Sequence, residues 1–132
     1  MKLQFNKYYL VLAHSILLIE IAIAFFLNTG FIRYTFGDYL VVIMLYAIIR
    51  GCTNLKVWVS ALVVLFIAYT IEILQLFHIL TYFNLQQNKT AALIFGSTFQ
   101  LSDLVAYTLG VFTILIIEYY NAKPKITYTF KI

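Results

Sequence analysis

The sequence predicts an all-α membrane protein, a bundle of four transmembrane helices with both termini in the cytoplasm. Two compositional observations support this class: apolar residues make up 64% of the 132 residues, and charged residues make up only 11%. A soluble domain is typically about 45–50% apolar and about 25% charged, and a chain this short could not bury so much apolar surface. The composition therefore argues against a soluble enzyme, a secreted disulfide scaffold and a disordered chain.

The third observation is that the apolar residues form four long segments. A helix needs about 20 largely apolar residues to cross the hydrocarbon core of a bilayer. We predict one transmembrane helix in each segment, at residues 8–28, 34–50, 57–80 and 101–120. The whole chain, residues 1–132, is then a single integral membrane domain, with an outer loop at 81–100 and a short cytoplasmic tail at 121–132.

The first segment has an alternative interpretation as a cleaved signal peptide. Lys2 and Lys7 would form its basic start, and Ala22-Ile23-Ala24 resembles a cleavage site. However, the apolar run continues to Leu27, and Glu20 would interrupt the core of such a signal. We therefore predict that this helix is retained.

The basic residues are divided unevenly between the two sides of the predicted bundle. Only Arg33 and Lys89 fall on one side, and Lys and Arg collect in cytoplasmic loops. This bias predicts that both termini are cytoplasmic. The basic residues do not form a stripe, so no nucleic-acid partner is predicted, and the lone Cys52 permits no internal disulfide. The residues on the cytoplasmic side are Lys2, Lys7, Arg50, Lys56, Lys123, Lys125 and Lys131.

All the acidic residues fall inside or at the ends of the apolar segments. They are Glu20, Asp38, Glu72, Asp103 and Glu118. A charge near the centre of a bilayer costs roughly 2.5–3.5 kcal/mol on insertion scales, and such residues usually face the bundle interior and mark a site. The first four are predicted to lie in the outer half of the bundle. Glu118 is predicted to be a solvated residue at the inner interface.

Helical spacing brings further polar residues to the same faces. Tyr69, Glu72 and Gln75 share one side of the third helix, and Asp103, Tyr107 and Gly110 share one side of the fourth. Gly110 would let a neighbouring helix approach closely. These faces are predicted to enclose one polar pocket that opens outward. Its predicted ligand-binding residues are Glu20, Arg33, Asp38, Glu72, Gln75, Asp103 and Tyr107.

The charge in this predicted pocket is unbalanced, because four carboxyl groups face one arginine. Some acids could stay protonated since burial disfavours the charged form, water could fill the cavity, or a cation or cationic ligand could bind. The alternative is a set of satisfied polar contacts that only hold the bundle together, such as Arg33 with Asp38 or Asp103.

Several polar positions occur in an order that resembles a known family. The order and spacing, from about Glu20 to Gly110, resemble the bacterial family catalogued as domain of unknown function 2809. The Glu-x-x-Gln helix followed by an Asp-led helix is also distantly similar to VanZ-like membrane proteins of the cell envelope, although Ser97 to Ser102 lacks their usual arginine. The resemblance implies a multi-pass membrane fold and a location in the bacterial cytoplasmic (inner) membrane, but it implies no reaction. The residues that carry it are Phe31-Ile32-Arg33, Gly37-Asp38, Val41-Val42, Tyr46, Glu72-Ile73-Leu74-Gln75, Gly96-Ser97-Thr98-Phe99, Asp103-Leu104 and Ala106-Tyr107-Thr108-Leu109-Gly110.

Three functions remain open at this stage. We favour a binding or transporter-like protein whose pocket holds a cation, a proton or a small envelope ligand. A membrane enzyme acting on a lipid or cell-wall precursor is the first alternative, but no nucleophile with an adjacent base is evident, and no catalytic residue, cofactor or metal site is predicted. The second alternative is an assembly subunit of a larger membrane complex. The predicted partners are the lipid bilayer, the small ligand or cation, and a second copy or a larger complex.

Overall fold

The computed structural model of the protein describes residues 3–85, 87–90 and 99–122. Four long helices dominate these residues, and all four are long and apolar enough to cross a membrane. This confirms the predicted all-α class with four candidate spans. A single π-helical turn, Ile32–Phe36, leads directly into α2. The helices are α1 (Lys7–Phe26), α2 (Gly37–Cys52), α3 (Val57–Leu76), the short α4 (Ile79–Tyr82) and α5 (Leu101–Ala122).

The third helix differs from its predicted extent of residues 57–80. α3 ends at Leu76, and α4 follows as a separate short helix. The break occurs at His78, whose φ of 51° lies in the left-handed region that an α-helix cannot include. The apolar pattern continues across this break without a glycine or proline to mark it, so the prediction of a continuous helix was wrong.

The other boundaries differ less. α1 ends at Phe26, because Leu27 is extended, and helical backbone already begins at Ile32 ahead of the predicted second helix. Residues 91–98 of the predicted outer loop and residues 123–132 of the predicted tail lie outside the described residues.

The helix α2 is central, because it packs against α1, α3 and α5. Its Val42 and Tyr46 are buried with Val64 of α3 and with Val111 and Ile114 of α5. Large apolar side chains also cover the outside of the bundle, among them Phe66, which is 74% exposed, and Phe112, which is 58% exposed. A soluble protein rarely exposes apolar patches of this extent, whereas lipid-facing surfaces require them.

The N-terminal segment is fixed to the far end of α2. The backbone N–H of Gln4 donates to the carbonyl oxygen of Cys52 at 3.0 Å, and that of Asn6 donates to Gly51 at 2.8 Å. Asn6 also caps α1, since its side-chain oxygen accepts a hydrogen bond from the Tyr8 N–H at 3.1 Å. The start of α1 and the turn between α2 and α3 therefore lie together at one end of the bundle.

The contact between α2 and α5 depends on Gly110. A Cβ atom there would collide with Val42 Cγ2 and would lie 2.9 Å from the backbone oxygen of Tyr39. This confirms the expectation that Gly110 allows a close helix approach, which is how small residues act in membrane bundles.

We predict that Gly110→Ala lowers the free energy of unfolding by about 1–3 kcal/mol, because backbone atoms of α2 must move to make room for the methyl group. The matched control is Gly51→Ala, where the new Cβ would meet mainly the side chain of Leu10, which can shift. Thermal unfolding in lipid nanodiscs checks both variants. Equal stability of Gly110→Ala and the wild type would contradict the close packing of α2 on α5.

A candidate carboxyl site between three helices

Three carboxyl groups from three helices meet beside the hydroxyl of Tyr107. Asp38 lies in the first turn of α2, Glu72 near the end of α3 and Asp103 in the first turn of α5. The Tyr107 hydroxyl lies 3.3 Å from Asp38 Oδ1 and 3.5 Å from Glu72 Oε2, and it can donate its single proton to either. We call these four residues the outer carboxyl site, after the side of the membrane on which the sequence predicts them. The structure thus brings together four of the seven predicted site residues.

Glu72 is the most buried acid in this site, with no exposed surface. Its Oε1 accepts a hydrogen bond from the backbone N–H of Gln100 at 2.8 Å. Gln100 immediately precedes α5, so Glu72 satisfies a backbone donor at the start of that helix. The N-terminal end of a helix carries a partial positive charge that stabilises nearby anions. Glu72 therefore has compensation from the backbone, and it shares the Tyr107 hydroxyl with Asp38.

Asp38 and Asp103 have a different relation to each other. Their carboxyl groups are close enough to interact electrostatically, and Asp103 Oδ1 also accepts a hydrogen bond from Ser102 Oγ at 3.0 Å. Two ionised carboxylates at such close range repel each other. This pair can therefore hold one shared proton or a small cation.

Paired polar side chains fix the helix faces around the site. The hydroxyl groups of Tyr69 on α3 and Thr108 on α5 are 2.7 Å apart. Tyr39 on α2 donates to Thr113 Oγ1 on α5 at 3.0 Å. These two contacts hold one face of α3 and one face of α2 against α5. The orientation of Glu72 and Asp38 therefore does not depend on the acids alone.

Glu20 and Arg33 lie beside this site rather than in it. Glu20, on α1, approaches the start of α2, because its Oε2 would be 3.5 Å from a Cβ atom on Gly37. Its Oε1 is buried without a hydrogen-bond partner, and Arg33 is close enough to interact with it electrostatically. Gln75, the remaining predicted residue, is half-buried on α3 near Glu72.

Glu118 is half-buried and binds two tyrosines through one carboxyl oxygen, an interaction that the prediction of a solvated interfacial residue did not include. The hydroxyl of Tyr9 donates to Glu118 Oε1 at 2.5 Å, and that of Tyr46 donates to the same atom at 2.7 Å. The Arg50 guanidinium lies 5.3 Å from the centre of the Tyr9 ring. We call these residues the inner Tyr–Glu cluster, after the predicted cytoplasmic side. Spacing within one helix could not reveal it, since its members come from α1, α2 and α5.

Apolar residues separate the two polar groups. Val42, Val64, Val111 and Ile114 pack together in the core between them. Among the described residues, no three His, Cys, Asp or Glu side chains are arranged to hold a metal ion. The outer carboxyl site is thus a compact group of acids and hydroxyls, bounded on its inner side by apolar packing.

The fold and this site define the class: a four-helix protein of membrane type with carboxyl groups inside its spans. The sequence matches the model of the family described as "Protein of unknown function (DUF2809)" over residues 27–111, and the chain belongs to this family. No curated protein and no solved structure matches the chain. The matched range contains all four residues of the outer carboxyl site. The similarity to VanZ-like proteins stays a prediction.

We predict that Glu72→Ala lowers the free energy of unfolding by about 1–3 kcal/mol, because it removes the acceptor of the Gln100 N–H and leaves a cavity in place of the fully buried Glu72 side chain. Glu72→Gln is the matched control, since its amide oxygen can still accept that hydrogen bond. Its decrease in the free energy of unfolding should be less than half as large as that of Glu72→Ala. The fluorescence of the only tryptophan, Trp58, during thermal unfolding reports both. Equal destabilisation by the two substitutions would show that the backbone contact is unimportant.

Proposed function

We propose that this protein is a multi-pass protein of the bacterial cytoplasmic membrane that binds a small cation or a proton between Asp38 and Asp103. The observation that carries the proposal is the convergence of these two carboxyl groups beside Glu72 and Tyr107. Two neighbouring ionised carboxylates in a partly buried site repel each other. A bound positive charge removes that repulsion, and this supplies the driving force for binding.

The surrounding groups do not provide that positive charge. Arg33 interacts with Glu20, and the Gln100 N–H is directed at Glu72. Asp38 and Asp103 accept hydrogen bonds from the hydroxyls of Tyr107 and Ser102. Among the described residues, however, no basic side chain forms an ion pair with either aspartate. This distribution favours a bound proton or cation over a closed network of structural contacts.

Each neighbouring residue has a proposed role. Glu72 adds negative potential, and the Tyr107 hydroxyl donates its one proton either to Asp38 or to Glu72. Glu20, Arg33 and Gln75 are proposed to line the approach on the outer side. The outward direction rests on the predicted orientation, in which the basic residues other than Arg33 and Lys89 are cytoplasmic.

The proposal is tested on the purified protein in nanodiscs. Isothermal titration with Na⁺, K⁺ and Ca²⁺ measures cation binding, and potentiometric titration in weak buffer measures proton uptake. We expect saturable binding of a cation, or uptake of a proton by the pair. Asp103→Asn should weaken cation binding at least tenfold, which is about 1.4 kcal/mol, or abolish that proton uptake.

The matched control is Glu118→Gln, which removes a carboxyl group outside the outer carboxyl site and should leave both measurements unchanged. Wild-type behaviour of both Asp38→Asn and Asp103→Asn in both titrations would overturn the proposal. So would an equal loss in Glu118→Gln, because the effect would then not be specific to the site.

A further inference from the structure

Two segments of the chain meet at the end of the bundle opposite the outer carboxyl site. The first turn of α1 and the turn between α2 and α3 meet there through the hydrogen bond from Asn6 to Gly51. Arg50 joins them further, because its guanidinium lies over the Tyr9 ring and its Nη1 donates to the carbonyl oxygen of Leu55. These contacts bring residues 6–9 and 50–56 to one edge of the protein.

Two lysines at this edge lack a compensating charge among the described residues. Lys7 begins α1 and Lys56 immediately precedes α3, and both are exposed. Of the five acidic residues only Glu118 lies in this half, and it is held by Tyr9 and Tyr46 close to Arg50. The charges of Glu118 and Arg50 therefore offset each other, and the two lysines give this edge a net positive charge.

Aromatic residues mark the same edge as the level of lipid headgroups. Tyr8 is 76% exposed, and Trp58 is 68% exposed. The Lys7 ammonium lies 5.5 Å from the centre of the Tyr8 ring. Tyr and Trp collect at the boundary between lipid tails and headgroups, so the two ammonium groups extend into the layer that contains the lipid phosphates.

We infer that Lys7 and Lys56 form a binding site for the headgroup of an anionic phospholipid, with Tyr8 and Trp58 against its glycerol and upper acyl region. A lipid with a net negative headgroup fits because it supplies the missing charge, whereas a zwitterionic lipid brings its own positive group. Basic side chains beside an anionic membrane surface each favour association by roughly fivefold. The inference does not depend on the proposed function of the outer carboxyl site.

Trp58 permits a direct test because it is the only tryptophan in the chain. The protein is placed in phosphatidylcholine nanodiscs that contain a small fraction of brominated phosphatidylglycerol or, separately, brominated phosphatidylcholine. Bromine quenches tryptophan fluorescence only on contact. At low salt we expect clearly stronger quenching by the anionic lipid, and roughly fivefold weaker association after Lys56→Gln or Lys7→Gln. Added salt should reduce the preference, since exposed charges are screened.

Lys89→Gln is the matched control, because it removes one exposed lysine from the segment between α4 and α5. It should leave the quenching by phosphatidylglycerol unchanged. Equal quenching of the wild-type protein by the two brominated lipids would overturn the inference. An undiminished preference in the Lys7→Gln, Lys56→Gln double variant would overturn it as well.

Discussion

A carboxyl group inside a membrane-spanning helix must find its hydrogen bonds within the protein, because lipid tails offer none. This constraint accounts for the arrangement of the polar residues. Glu72 receives a backbone N–H and faces a tyrosine hydroxyl, Glu118 receives two tyrosine hydroxyls, and Asp38 and Asp103 meet each other. The partners come from different helices, so these contacts set how α1, α2, α3 and α5 are rotated against one another.

The outcome is a bundle with two polar groups separated by apolar packing. The inner Tyr–Glu cluster joins α1, α2 and α5, and its acid is offset by Arg50. The outer carboxyl site joins α2, α3 and α5, and no basic side chain in the described part of the chain forms an ion pair with its aspartates. This difference in compensation, rather than the number of acids, separates a structural contact from a site that can take up a positive charge. The family match includes the whole outer site but ends before Glu118.

The fold class follows from the sequence because four apolar runs admit few alternatives. Helical spacing also predicted correctly that Tyr69 and Glu72 share a face, and that Gly110 lies at a close helix contact. The break at His78 could not be predicted, since nothing in its local sequence requires a left-handed residue. The sequence also could not predict the contact of Gln100 with Glu72 or the environment of Glu118, because spacing within a helix does not give the register between helices.

The central claim, that Asp38 and Asp103 face each other between α2 and α5, can be measured by mercury(II) bridging of paired cysteines. Asp38→Cys and Asp103→Cys are combined with Cys52→Ser, which removes the only native cysteine. In native membranes, a mercury(II) bridge protects the two introduced thiols from a thiol-reactive polymer, and this protection is measured. The structure predicts rapid protection of the 38/103 pair and none when Asp38→Cys is combined with Glu118→Cys. Free labelling of the 38/103 pair in the presence of mercury(II) would contradict the claim.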